Sequence, residues 1–119
     1  MRYRISEAEM DIMKILWERG PCRASEIACA CKDRNGWEKN TSYTFLQRLV
    51  QKKAVRRREP GFLCTAAAAR EEVCEEEFKA FLQRLYDGSF VLFLRDMVNR
   101  ERRSSKEIDE LKKIVAALD

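Results

Sequence analysis

Residues Glu38 to Val55 read EKNTSYTFLQRLVQKKAV and run straight into Arg56, Arg57 and Arg58. At 3.6 residues per turn, Leu46, Leu49 and Val50 fall on one side of a helix, and Thr41, Thr44 and Arg48 fall together on another. A helix that buries one face and offers small hydroxyls and a guanidinium on the other suits a DNA major groove. The arginines that follow would lie in a strand turned by Pro60-Gly61, where a basic hairpin can reach phosphates. Within that strand Val55 and Arg57 point one way and Arg56 and Arg58 the other, so the three arginines are not equivalent. Thr41 and Thr44 are therefore the candidate readers of base edges, with Asn40 and Tyr43 flanking them. Lys39, Arg48, Arg56 and Arg58 are the candidate phosphate contacts.

Other chemistry is poorly supplied. Cys29 and Cys31 form a C-x-C, with Cys22 seven residues earlier. Thiolates at such spacing suit zinc or copper(I), but residues i and i+2 do not share a helix face, and no second C-x-C follows. The expectation is no metal and no cofactor, with cysteines serving as small apolar groups. Glu75, Glu76 and Glu77 form a charge run that suits a solvated helix face. The chain has no histidine, which removes the commonest general base, and it carries no glycine-rich phosphate loop. The pattern does not point to an enzyme.

Charge agrees with a nucleic-acid partner on one half only. Of the 119 residues, 1–60 carry 14 Lys+Arg against 8 Asp+Glu, whereas 61–119 carry 10 against 12. The positive field belongs to the half that holds the candidate reading helix. Met1 to Leu16 interrupts every apolar run with charge, so no export signal is expected. Gly88 to Leu94 is the longest uncharged run among the helices of the second half, far too short for a bilayer. Five cysteines without an export signal fit reduced thiols, and the expected location is cytoplasmic.

The elements that must position the reading helix can be placed in order. A first helix is predicted over Ser6 to Arg19, because Ser6 and Glu9 form a capping-box pair and Gly20-Pro21 stops the turn. Ile5 and Met10 suit a hydrophobic staple. Met10, Met13, Leu16 and Trp17 make its buried stripe, with Ile12 near the edge. A second helix is predicted from Ala24 to about Lys32, with Ile27 and Ala28 inward. Asp33 to Trp37 is then a polar link with Trp37 as an apolar lid. The third helix starts at Glu38 and reaches Lys52 or Lys53, which gives a helix-turn-helix plan. Val55 to Arg58 and Phe62 to Thr65 would be the hairpin strands. Beyond Ala69, Val73, Phe78, Phe81, Leu82 and Leu85 line one side of a helix ending near Asp87-Gly88. Ser89 to Val98 is apolar nearly all round, and a last helix from Ser104 or Ser105 repeats Ile108, Leu111, Ile114, Val115 and Leu118 at helical spacing.

One slim helix cannot cover Phe90 to Val98. A second copy of the same segment is the economical cover, since most soluble oligomers are twofold symmetric. Phe78, Phe81, Leu82, Leu85, Phe90, Phe93, Leu94, Met97, Leu111 and Ile114 are the candidate dimerisation residues. The alternative is a helical tail folded back on its own first domain.

Three segments in this order, SEAEMDIMKILWERGPCRASEI, GWEKNTSYTFLQRLVQKKAV and FLQRLYDGS, resemble the bacterial penicillinase-repressor family. The resemblance covers about Ile5 to Leu118. That family includes repressors of beta-lactamase and methicillin-resistance genes and copper-responsive repressors of transport operons. It implies a mainly α fold with a small β hairpin: a winged helix-turn-helix domain over 1–68 and a helical dimerisation domain over 69–119. It further implies a homodimeric repressor at a palindromic promoter operator in double-stranded DNA, with the third helix reading the sequence. The family pattern falls on Gly36, Trp37, Thr41, Ser42, Tyr43, Thr44, Phe45, Leu46, Arg48 and Leu49. Ser42 stands where an aliphatic residue is usual, and Ala54 replaces the usual glycine before the wing. Residues 75–119 hold no cysteine, so the copper branch's carboxy-terminal hook is missing, and Asp96-Met97 stands where the antibiotic-responsive branch is cut at Asn-Phe. An inducing protease or ligand is thus left open. The rival function is a winged helix that binds protein partners without specific DNA binding.

Overall fold

The computed structural model describes residues 2–100 and 104–118, which form two compact units, Met1–Glu77 and Phe78–Asp119. In the first unit α1 (Glu7–Arg19) starts on Ser6. Ser6 Oγ accepts the Glu9 N–H at 3.2 Å, and Glu9 Oε1 accepts the Ser6 N–H at 2.8 Å. This reciprocal pair satisfies donors that a helix start leaves open. α1 buries Ile12, Met13, Ile15 and Leu16. Met10 and Trp17, expected in the buried stripe, lie half-buried, and Ile12, expected near the edge, is fully enclosed. The buried face is wide because α1 packs on both following helices and on the sheet.

The second helix, α2 (Ala24–Asn35), runs three residues past its expected end and stops at Gly36, whose left-handed φ of 70° suits glycine. α3 (Lys39–Gln51) buries Ser42, Leu46 and Leu49, while Val50 is half-covered. Trp37 does pack on the core, with its ring 5.1 Å from that of Phe45. Glu38 occupies the cap position but makes no capping hydrogen bond.

The hairpin is the edge of a three-stranded sheet. β1 (Cys22–Arg23) and β2 (Val55–Arg58) flank β3 (Leu63–Ala66), in the order β1-β3-β2, all antiparallel. β1 was not predicted, since two residues carry no periodicity. The second hairpin strand begins one residue later than expected because Phe62, at φ 49°, still belongs to the turn. Ala54 needs no glycine: the left-handed residue is Lys53 (φ 66°), and Ala54 is fully buried with its carbonyl accepting the Ala67 and Ala68 N–H groups. The unit continues past residue 68, the expected boundary, because Val73 at the start of α4 (Arg70–Tyr86) joins the same core. Trp17 Nε1 donates to the Ala68 carbonyl at 2.9 Å and ties α1 to that junction.

In the second unit α4 is followed by α5 (Phe90–Arg100) and α6 (Ser105–Ala116), the latter capped by Ser104. Phe93 is the hub of an aromatic cluster, with ring centroids 5.5 Å from Phe78, 5.6 Å from Phe81 and 5.4 Å from Tyr86. Asp96 accepts hydrogen bonds from Tyr86 Oη at 2.9 Å and Arg100 Nε at 2.8 Å, so the Asp96-Met97 bond lies inside an ordered helix.

Glu9 has a second role besides capping. It is only 1 % exposed, and Lys52 at the end of α3 donates to Glu9 Oε1 and to the Arg4 carbonyl. Burial alone pushes the Glu9 carboxyl up. The hydrogen bonds from Lys52 and Ser6 more than offset that, so it titrates below its ordinary value of 4.5. A carboxyl lowered in the folded state contributes stability that is complete above the unfolded pKa and is lost as pH falls through the folded one. Glu9→Gln is expected to cost about 2 kcal/mol at pH 7. That difference should shrink steadily as pH drops below about 4.5, measured by urea denaturation of both proteins across the acid range.

Candidate nucleic-acid interface

α3 presents a continuous polar face opposite its buried one. Lys39, Asn40, Thr41, Thr44 and Arg48 are all exposed, while Leu46 and Leu49 are enclosed. This separation follows from the helical period, because the apolar residues lie three and four apart. Thr44 Oγ1 donates to the Asn40 carbonyl at 2.9 Å. Its hydroxyl proton is thereby occupied, leaving the methyl group and the oxygen lone pairs to face outward. The Arg48 guanidinium lies 5.5 Å from the Phe45 ring centroid, which holds it along the helix rather than free in solvent.

Tyr43 differs from its neighbours. It is half-buried, with the Lys39 ammonium 5.5 Å from its ring centroid and the Phe62 ring nearly parallel at 6.5 Å. Phe62 is in turn covered by Arg57, whose guanidinium carbon lies 3.6 Å from the ring centroid. Arg57 Nε donates to Glu59 Oε1 at 2.9 Å, and Glu59 Oε2 accepts the Phe62 N–H at 3.3 Å. The hydrogen bond from Arg57 holds the Glu59 carboxyl below its ordinary range.

The arginines of β2 therefore divide as alternation requires. All three are exposed, but Arg57 is engaged in the turn, whereas Arg56 and Arg58 form no ion pair among the described residues. A concave strip beside them is lined by Arg2, Lys53, Arg56, Arg57 and Arg58 together with Thr65. Arg2 and Lys53 were not among the candidates. Lys53 read as a helix end, and Arg2 is far away in sequence, so only the fold brings them beside the hairpin. Lys52, its neighbour, faces inward to Glu9 instead.

The cysteines separate across faces. Cys29 is exposed and Cys31 buried, as i and i+2 on a helix must be. Cys22 and Cys64 are buried partners across β1 and β3. Burial pushes the Cys64 thiol up to about 11, with the Arg57 charge pulling it down and Cys22 adding a smaller upward push. It is thus a protonated, weakly polar filler at neutral pH. Among the described residues no cluster of three or more His, Cys, Asp or Glu can hold a metal, and no helix is long and apolar enough to cross a membrane.

In the second unit the candidate dimerisation residues separate by exposure. Leu85, Phe90 and Ile114 stand open at 59 %, 52 % and 61 %, with Phe78 just open as well. Phe81, Phe93, Leu94, Met97 and Leu111 are half-buried, and Leu82 is already covered within the chain. Val91, Leu92, Val115 and Leu118, outside the candidate residues, are exposed too, and the apolar run Phe90 to Val98 contains the first two. Phe93, Leu94, Met97, Val98, Leu111 and Ile114 line an apolar groove of about 410 Å³ with Glu107 and Glu110 at its edge.

The sequence pattern of the penicillinase repressors matches residues 5–117. The chain belongs to the penicillinase repressor family. It is similar to the penicillinase repressor of Bacillus licheniformis, with 27 % identity over 94 % of this chain and 89 % of that protein. It is similar to the methicillin resistance regulatory protein MecI of Staphylococcus aureus (strain N315), with 27 % identity over 95 % of this chain and 94 % of that one. Its fold matches the solution structure of the DNA binding domain of the repressor BlaI at a TM-score of 0.56 and 26 % identity, covering 60 % of this chain and 90 % of that domain. The winged-helix assignment and the mainly α architecture with a small hairpin follow. Members of this family are transcriptional repressors, not enzymes.

Within that fold Ser42 is an oddity of this chain. It is 1 % exposed on the inner face of α3, and its Oγ makes no hydrogen bond of regular geometry. The Cys31 thiol, pushed up by burial, lies beside it, but sulfur is a weak partner. A buried hydroxyl left without a good partner costs about 1–3 kcal/mol. Ser42→Ala is expected to raise stability by about 1 kcal/mol, the small void offsetting part of the gain. Thermal unfolding of the two proteins checks it; a lower Tm for the alanine variant would show that the hydroxyl is satisfied.

Proposed function

We propose that this chain is a homodimeric, cytoplasmic repressor that occupies a palindromic operator in double-stranded DNA and has no catalytic step. The observation that carries the reading is the exposed polar face of α3, set in the same unit as the exposed Arg56 and Arg58. In this reading Thr41 and Thr44, with Asn40 beside them, meet base edges. Lys39, Arg48, Arg56 and Arg58 meet phosphates, and Lys53 and Arg2 extend that strip. Membership of a repressor family and the likeness to the BlaI DNA binding domain support it.

Dimerisation is supported by what α5 and α6 leave uncovered. Neither helix has a fully buried residue among those described, yet Phe90, Val91, Ile114 and Val115 are all large and apolar. Apolar surface of this extent is removed from water by association. A twofold partner places two reading helices at a fixed separation, which in turn demands a fixed half-site spacing. Asp96-Met97 lies inside α5, so a protease acting there would first have to unwind a helix that Asp96 helps to hold.

DNA binding and sedimentation together test the reading. Arg58→Gln should lower the slope of log affinity against log salt by about one unit on operator and random duplex alike, because one phosphate contact is lost. Thr44→Ala should instead relax preference among operator variants selected from genomic DNA. Equal losses on operator and random DNA for Thr44→Ala would overturn its assignment to base reading. Sedimentation at micromolar concentration should give a dimer for the parent and a monomer for Ile114→Asp, a site open to solvent in the single chain. Operator affinity should then fall by about two or more orders of magnitude as the second head's effective concentration is lost. A folded dimer that enriches no twofold motif would favour a protein-binding module instead.

A further inference from the structure

Lys39, Tyr43, Phe62 and Arg57 form an alternating stack that runs from the first turn of α3 to the tip of the hairpin: ammonium, ring, ring, guanidinium. The two ends belong to different elements, and the stack crosses between them only through the Tyr43 and Phe62 rings. We infer that this stack is a positioning device, which locks the hairpin tip to the reading helix so that both meet one DNA half-site in fixed register. The inference rests on the DNA-binding reading and deepens it. Tyr43 and Phe62 are then positioning residues. Tyr43 does not read bases itself, which revises its place beside Asn40 among the flanking contacts.

Three features favour a built linkage over a chance contact. Phe62 has φ 49°, a conformation that side chains seldom adopt, and this places its ring in the turn rather than in the strand that follows. Glu59 braces the same turn from below, accepting from both the Phe62 N–H and Arg57. The Arg57 guanidinium therefore has two contacts, its face on a ring and its Nε edge on a carboxylate. Each neighbour of the stack is then held in place: Arg56 and Arg58 alternate with Arg57 along β2, and Asn40 and Thr44 flank Tyr43 and Lys39 on α3.

A cation over a ring and two offset parallel rings are modest attractions individually, but they act here on a hairpin of only four paired residues per strand. Its tip is also held by the backbone on the β1 side, where Arg23 pairs with Leu63 and the Ala24 N–H donates to the Phe62 carbonyl at 3.0 Å, so the stack adds the side-chain link from the turn to α3. Losing the anchor removes no charge from the protein. It should nevertheless reduce the number of phosphates neutralised at once, because Arg56 and Arg58 no longer arrive in register when α3 is seated.

The test uses the full chain and three uncharged changes: Tyr43→Phe, Tyr43→Leu and Phe62→Leu. Tyr43→Phe keeps the ring and should keep the parent's salt slope. Tyr43→Leu and Phe62→Leu should each lower the slope of log affinity against log salt by about one to two units, although no charge is touched. The double leucine variant should lose no more than either single one, since both break one linkage. A fold defect alone would lower the active fraction and leave that slope where it was. Unchanged slopes in the leucine variants, additive losses, or a Tyr43→Phe loss as large as Tyr43→Leu would each overturn the inference. Amide relaxation in the free protein supplies an independent readout. Gly61 and Phe62 should gain fast motion in both leucine variants and not in Tyr43→Phe. If the parent chain fails to bind DNA while these amides respond as stated, the linkage stands and the DNA-binding reading falls. If they do not respond, the linkage itself is refuted.

Discussion

α3 has to serve two opposed surfaces, and the rest of the first unit is arranged around that constraint. Leu46 and Leu49 must be buried deeply enough to hold the helix, and Asn40, Thr41, Thr44 and Arg48 must remain outside. A 13-residue helix gains little stability from its own hydrogen bonds, so its position depends on the packing of one face. α1 and α2 supply that packing with Ile12, Ile15, Ile27 and Cys31. Fully burying a Leu or Ile side chain contributes about 1.5–3 kcal/mol, and a small unit has few such residues to spare.

Polar interactions then set the angle at which α3 leaves the core. Lys52 closes its far end by reaching Glu9 on α1 and the carbonyl of Arg4 in the segment before it. Near its start, Tyr43 meets Phe62 of the hairpin turn. Between them, the exposed face carries hydroxyls and cations whose internal contacts stay within α3 itself. A buried ion pair such as Glu9–Lys52 is not a strong source of net stability, because desolvation offsets much of the attraction. Its geometric effect is more specific: Lys52 reaches the buried Glu9 Oε1 while the end of α3 lies against α1.

The second unit works by the opposite logic. Its helices cover the aromatic cluster around Phe93 but leave Phe90, Val91, Ile114 and Val115 in water. A first unit that is satisfied within itself and a tail that is not are complementary halves of the proposed repressor: in that proposal the first meets the nucleic acid, and the second joins copies. Coupling two weak heads through a shared seam converts modest single-site affinity into tight occupancy without any new contact to DNA.

Much of this was legible along the chain, because it depends on neighbours in sequence. The Ser6–Glu9 capping pair, the stop at Gly20, the amphipathic period of α3, the alternation of Val55 to Arg58 and the start of the last helix at Ser104 are local patterns. Local patterns survive translation into structure. The family resemblance rested on the same residues. What the sequence could not settle involves partners far apart in the chain. Glu9 and Lys52 are separated by 43 positions, and each reads as an ordinary surface charge until the fold encloses it. The two-residue β1 exists only because Cys22 and Arg23 meet Cys64 and Leu63. Phe62 read as the start of a strand, since its alternation was right, but Arg57 and Tyr43 draw its ring into the turn. Periodicity tells which side of an element faces inward. Only tertiary packing decides which side chain from another element it finds there.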